Sequence, residues 1–178
     1  ILLGEIADTN DPLLGLGGSA YLQTIHTLKT GTPPRCDMEK ERSVHNALRG
    51  FIECGIIKSA HDCSDGGLAV ALAESCISQQ VARETPRLIG AQIDLSTANV
   101  NRLDALLFGE SQGRIVLSVA PLNVPKVLER AKILGVAATK LGTVTGSELT
   151  IKTANAELKW NTTELHDLWF NSIARAMQ

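Results

Sequence analysis

Asp62 and Asp65 bracket Cys63-Ser64, and Gly66-Gly67 follow at once. Carboxylates at that spacing can share a divalent cation, and a hydroxyl beside glycine backbone can receive a phosphate. The elements that would present them are legible on either side. A short run ending in His61 reads as the tip of a strand, and Ser64 and Asp65 are residue types that cap helix N-termini. Gly66 and Gly67 let the backbone turn tightly and approach a neighbour closely. Every residue from Leu68 to Ala73 is apolar, so the helix that follows is expected to be buried around most of its circumference. Such a corner aims free N–H groups and the positive end of a helix dipole at one point, which suits an anion. The competing reading is structural. Strand-to-helix corners with Asp and Gly are common in α/β proteins, and most bind nothing.

Two further stretches carry candidate groups. Leu106-Leu107-Phe108-Gly109-Glu110-Ser111-Gln112-Gly113-Arg114 leads into a strand over Arg114 to Val119. Glu110 can hold a metal or an amine, and Ser111 and Gln112 can hydrogen-bond an amide. Arg114 can face a phosphate or pair with Glu110. A polar turn before a strand would account for the same residues. Gly15-Leu16-Gly17-Gly18-Ser19 is a second glycine-rich helix start, with Ser19 as N-cap of a helix over Ala20 to Leu28.

The remaining elements follow from pattern. Ile1 to Ile6 reads as a strand. Asp37 caps a helix whose Val44, Ala47, Leu48, Phe51 and Ile52 form an apolar stripe, with His45 on the solvated side and Gly55 as terminator. Ile56 to Asp62 is the strand that delivers the first motif. Gln79 to Pro86 is a polar connection, Leu88 to Leu95 a strand, and a short helix ends at Leu107. Val124 to Leu134 is an amphipathic helix closed by Gly135. Ala138 to Thr145, Glu148 to Thr153 and Ala156 to Trp160 read as strands, the first two joined as a hairpin at Gly146-Ser147. Asn161 and Glu164 are in capping-box position for a last helix. Its buried stripe is expected to be Leu165, Leu168, Trp169 and Ile173, with His166 exposed. Helices and strands that do not strictly alternate indicate an α+β domain, a three-layer α/β/α arrangement with a mixed β-sheet.

Composition narrows the classes. A chain of 178 residues is enough for one domain with a sizeable core. A net charge of −2 leaves no electrostatic footprint for nucleic acid or an anionic membrane, and 3% aromatics are too few for a base-stacking platform. No apolar run approaches a membrane span. Cys36, Cys54, Cys63 and Cys76 lack zinc-ligand spacing and read as reduced thiols of a cytoplasmic protein.

Taken together, Leu2 to Glu5, Leu16 to Leu22, His61 to Glu74 and Leu106 to Val119 resemble, in order, the C-terminal domain of the aminoimidazole-ribonucleotide-synthetase superfamily. Within it they resemble the last, second-copy domain of the phosphoribosylformylglycinamidine synthases. One position departs from the pattern: Ala20 stands where an acidic residue is expected. The resemblance implies that residues 1–178 are one domain of a longer polypeptide. It implies the reaction of formylglycinamide ribonucleotide, ATP and glutamine-derived ammonia, with Mg²⁺ and ATP/ADP bound mainly by other domains. Partners would be ATP-binding domains of the same polypeptide, a glutaminase subunit or domain, and a small accessory subunit. The domain alone would be inactive, with no catalytic residue of its own. An auxiliary phosphate or nucleotide cleft would be lined by Gly17, Gly18, Ser19, Ser64, Asp65, Gly66, Gly67, Ser111, Gln112 and Arg114. Asp62, Asp65 and Glu110 would sit nearest a metal, and Ser111 and Gln112 nearest a formylamide. Two alternatives stay open: a stand-alone nucleotide-binding or scaffold module, and a sister ATP-dependent ligase or kinase.

Overall fold

Leu2 and Leu3 are completely buried, and they pair on both sides as the central strand of a sheet. The computed structural model describes residues 1–178 except Gln79, Arg83 and Glu84. It divides the chain into two compact units, Ile1–Ala71 with Asn99–Lys140, and Leu72–Ala98 with Leu141–Gln178.

The first unit holds β1 (Leu2–Leu3), β2 (Ser59–Asp62), β6 (Ile115–Ser118) and β7 (Ala138–Thr139) in the order β2-β6-β1-β7, antiparallel throughout. Its helices are α1 (Ala20–His26), α2 (Met38–Glu53), α4 (Leu103–Phe108) and α5 (Val124–Ile133). Alternate residues Ile115 and Leu117 of β6 meet Val44, Ala47 and Phe51 of α2 and Val127 and Ala131 of α5 in one core. Asp37 caps α2 as expected, its Oδ1 accepting from the Glu39 and Lys40 amides at 3.0 and 3.1 Å. Ile52, expected in the buried stripe, is instead 55% exposed, because the stripe turns away one residue earlier at Phe51. The first strand is shorter than the expected Ile1 to Ile6. Gly4 has φ +101°, which takes the chain out of β geometry. The helix expected to Leu28 stops at His26, where Thr27 adopts φ 56° and its N–H bonds back into the last turn.

The helix α3 (Gly67–Ile77) starts in the first unit and ends in the second. The second unit contains β3 (Gln80–Ala82) and β4 (Thr85–Pro86), an antiparallel pair. These are the described parts of the expected Gln79 to Pro86 connection; Gln79, Arg83 and Glu84 lie outside the described residues. The main sheet comprises β5 (Ala91–Asp94), β8 (Gly142–Val144), β9 (Glu148–Lys152) and β10 (Glu157–Asn161) in the order β10-β9-β5-β8. It is the mixed sheet of an α+β protein: β5 runs parallel to β9 and antiparallel to β8.

The hairpin expected at Gly146-Ser147 does not form. β5 lies between β8 and β9 and takes the hydrogen bonds each would have given the other. Gly90 continues the insertion, donating to Gly146 O at 2.8 Å and accepting from the Thr145 amide at 2.9 Å.

The last helix is two, α6 (Thr162–Phe170) and α7 (Ser172–Ala176). Asn161 caps α6 by accepting from the Thr163 amide at 2.8 Å. The expected buried stripe is largely exposed: Leu168 at 61%, Trp169 at 40% and Ile173 at 73%. Helical period identifies an apolar side but not whether anything covers it. His166, expected to be exposed, is half-buried and stacks on Phe170 with ring centroids 5.3 Å apart.

Candidate functional site

Two glycine-bearing segments, around Gly15 and Gly67, and the loop after α4 converge inside the first unit, and their backbones touch. A Cβ on Gly67 would lie 2.5 Å from Gly109 O, and one on Gly15 would lie 2.7 Å from Ser111 Oγ and 2.8 Å from the Glu110 amide. Both glycines have positive φ, +68° and +83°. The sequence motifs are therefore the places where main chain packs directly on main chain, which only glycine permits.

Glu110 joins these segments. Its Oε1 accepts from the Ala20 amide at 2.9 Å and from the Gly66 amide at 2.8 Å, while its own N–H donates to Gly15 O at 2.8 Å. The N–H groups expected to meet a phosphate thus meet a carboxylate of the same chain. Ser19 is buried and caps α1, its Oγ accepting from the Leu22 amide at 3.3 Å.

Arg114, expected to face a phosphate or pair with Glu110, makes no direct contact with Glu110 among the described residues. It is 4% exposed and donates to three main-chain carbonyls. Nε reaches Ser111 O at 3.1 Å, Nη1 reaches Ile6 O at 3.1 Å, and Nη2 reaches Gly109 O. Burial pulls its pKa down, and the nearby Cys63 and Glu110 act the other way. The guanidinium is a staple for the Gly109–Gly113 loop.

A cleft of about 360 Å³ opens beside this junction. Of the residues proposed from sequence, Gly17, Gly18, Asp62, Ser64, Asp65 and Glu110 line it, as do Ser111, Gln112 and Arg114. Ser19, Gly66 and Gly67 do not; the two glycines form the packed corner itself. Asp62, Ser64, Asp65 and Gln112 are exposed there. Ser111 is 5% exposed and its Oγ is without a hydrogen-bond partner. Glu41, not named from sequence, and His45, read there as solvated surface, also line the cleft and approach each other to 3.4 Å. Their i,i+4 spacing on α2 was the available signal. A larger cleft of about 590 Å³ shares Ser111 to Arg114 and adds Glu5, Asp8, Arg35 and Lys40. Cys63, buried below the rim, has its thiol pushed up to about 11, chiefly by desolvation. All four cysteines are free.

The Asp62 carboxyl is held below the usual carboxylate range, first by the Ser64 hydroxyl, against an opposing pull from burial. A depressed carboxyl favours the folded state above its unfolded pKa, and that contribution is lost as the pH falls through the folded value. Ser64→Ala should therefore move the Asp62 titration up towards the ordinary Asp value, read by carboxyl-carbon NMR. An unmoved titration would assign the depression to some other group.

A resident divalent ion does not fit this arrangement. Among the described residues, no group of three or more His, Cys, Asp or Glu is placed to hold one. One Glu110 oxygen is committed to two amides, and Asp62 is hydrogen-bonded by Ser64. The trio Asp62, Asp65 and Glu110 shares a cleft without forming a metal centre. No helix among the described residues is long and apolar enough to cross a membrane.

The fold has known counterparts. Residues 1–153 match the family model described as AIR synthase related protein, C-terminal domain, and the chain belongs to that family. The subunit PurL of phosphoribosylformylglycinamidine synthase from Moorella thermoacetica is 41% identical over 89% of this chain. A Prochlorococcus marinus protein of the same name is 39% identical over 99% of it. The chain spans only 20% and 22% of these relatives' lengths. Among solved structures, Thermotoga maritima PurL complexed with FGAR matches with a TM-score of 0.67 at 20% identity, covering 93% of this chain and 27% of that one. The T. maritima PurL complexed with ATP gives 0.62 at 19% identity, covering 93% and 25%. At these identities the structural likeness is one of fold.

Proposed function

We propose that this chain is the closing, AIR-synthase-related domain of a phosphoribosylformylglycinamidine synthase. The whole enzyme would convert formylglycinamide ribonucleotide, ATP and glutamine-derived ammonia to formylglycinamidine ribonucleotide, ADP and phosphate. The observation that carries this reading is 41% identity, over 89% of the chain, to a relative bearing that name. Residues 1–178 would act as a single domain alongside ATP-binding domains of the same cytoplasmic polypeptide. A glutaminase and a small accessory subunit would complete the assembly; a T. maritima structure among the fold neighbours is titled PurLQS.

The chemistry divides accordingly. Phosphorylation of the amide oxygen needs positioned cations around the transferring phosphoryl group. Mg²⁺ would enter with the nucleotide and be held mainly by the other domains, since among the described residues the carboxylates do not gather around one. What this domain contributes is a preorganised wall. Ser64, Asp65 and Gln112 stand exposed on the smaller cleft, available to the polar periphery of a phosphate-bearing ligand. The domain alone should not turn over, because in this reading the ATP-binding domains and the glutaminase lie elsewhere in the assembly.

The test is product formation by the full polypeptide carrying this chain, supplied with formylglycinamide ribonucleotide, ATP and ammonium salt so that no glutaminase is required. Substrate-dependent ADP release with formation of the amidine is expected, and none from residues 1–178 alone. A full polypeptide without that reaction, or turnover by the short chain, would overturn the reading.

A further inference from the structure

We infer that Glu110 is an internal stand-in for a bound anion: its carboxylate latches two distant glycine-rich segments and keeps phosphate out of the corner between them. The inference concerns contacts inside the first unit and does not rest on the reaction assigned above.

The Gly66 amide precedes an eleven-residue helix and the Ala20 amide opens α1, so both sit where helix-end N–H groups lack intrahelical partners. One oxygen, Glu110 Oε1, accepts from both at 2.8 and 2.9 Å. A carboxylate receiving two main-chain N–H groups makes the charge-assisted contacts that a phosphate oxygen would make at the same point. The neighbouring groups are arranged for a resident anion too. Arg114 is buried within electrostatic range of Glu110 and, among the described residues, its guanidinium bonds only to carbonyls, so Glu110 offsets its charge without an ion pair. The Glu110 amide is itself anchored on Gly15 O, so the side chain springs from a fixed point. Around it stand Asp62, Asp65 and Glu41, which would repel a second anion.

The corner is consequently set in its geometry without a ligand. A phosphate-bearing molecule in the cleft would meet rim groups and not the corner amides. It would approach Ser64 and Gln112, leaving Ala20 and Gly66 as they are.

Hydrogen exchange of peptides containing Ala20 and Gly66, in the full polypeptide, tests this. In the wild-type protein, excess inorganic phosphate should leave both amides' exchange unchanged. Glu110→Ala should speed exchange in both segments together, by about tenfold or more. Excess formate or inorganic phosphate should restore protection to that variant, because either can occupy the vacated acceptor position. Exchange unchanged in Glu110→Ala overturns the latch. Phosphate protection in the wild type overturns the exclusion, and failure of both anions to protect Glu110→Ala overturns the stand-in. Should Glu110→Ala fail to fold, Glu110→Gln decides. It keeps an acceptor but loses the charge, so it should exchange several-fold faster in both segments, and wild-type exchange in either would overturn the proposal.

Discussion

Arg114→Lys should lower the unfolding free energy by about 3 kcal/mol or more, given that a hydrogen bond to a charged group is worth roughly 1.5–3 kcal/mol. The replacement keeps the positive charge but removes the planar fork. Three carbonyls, of Ile6, Gly109 and Ser111, currently share that fork at a position 4% exposed. An ammonium reaches one or two of them and leaves the rest buried without a donor. Its own desolvation is then poorly compensated, because no carboxylate contacts the site directly. Arg114→Met, which abolishes the charge, should be no worse than lysine if the bonds rather than the charge matter. Urea unfolding gives the comparison. A lysine variant within 1 kcal/mol of wild type would show that the loop is held by something other than the guanidinium.

Gly67→Ala is the second large effect. The added methyl would lie 2.5 Å from Gly109 O and 2.9 to 3.0 Å from main-chain atoms of Phe108, none of which can rotate away. The residue also has φ +68°, which costs a non-glycine residue about 1–3 kcal/mol before any clash. Overpacking adds roughly another 1–3 kcal/mol, so a loss of about 2–6 kcal/mol is expected. The separation it forces is between the Gly66-Gly67 segment and the loop that carries Glu110. Unfolding should shift and the exchange of Gly66 should rise together. Normal stability would mean that α3 can slide on the Gly109 loop.

These two residues show where the sequence was informative. Gly15 and Gly67 mark main-chain contacts, and that requirement writes itself into residue type; that the motifs share one cleft was implied by the family resemblance. Caps were legible for the same reason: Ser19, Asp37 and Asn161 act locally on amides two or three residues ahead. Arg114 was not legible. A guanidinium near Glu110 reads as a phosphate or carboxylate ligand, and only the three-dimensional course of residues 6 and 109–111 turns it inward. Nor was the capture of the Gly66 amide by Glu110, since the partners lie 44 residues apart. The false hairpin at Gly146-Ser147 has a similar origin. Turn chemistry favoured it, but β5, a segment distant in sequence, pairs with both strands instead. In the last helix, period 3.6 located the apolar side correctly and said nothing about what lies over it.

The placement of β5 between β8 and β9 has a kinetic consequence. Two strands adjacent in sequence cannot close on each other, so this sheet has no local hairpin between them from which to grow. Its central ladder waits for a segment from much earlier in the chain to dock, and the loop-closure entropy is incurred before any pairing compensates it. Until then β8 and β9 present facing open edges, which invite strands of other molecules. During synthesis β5 emerges first and is already available when β8 and β9 appear. After denaturation all three compete at once, so refolding should be slower and more prone to aggregation than the first folding.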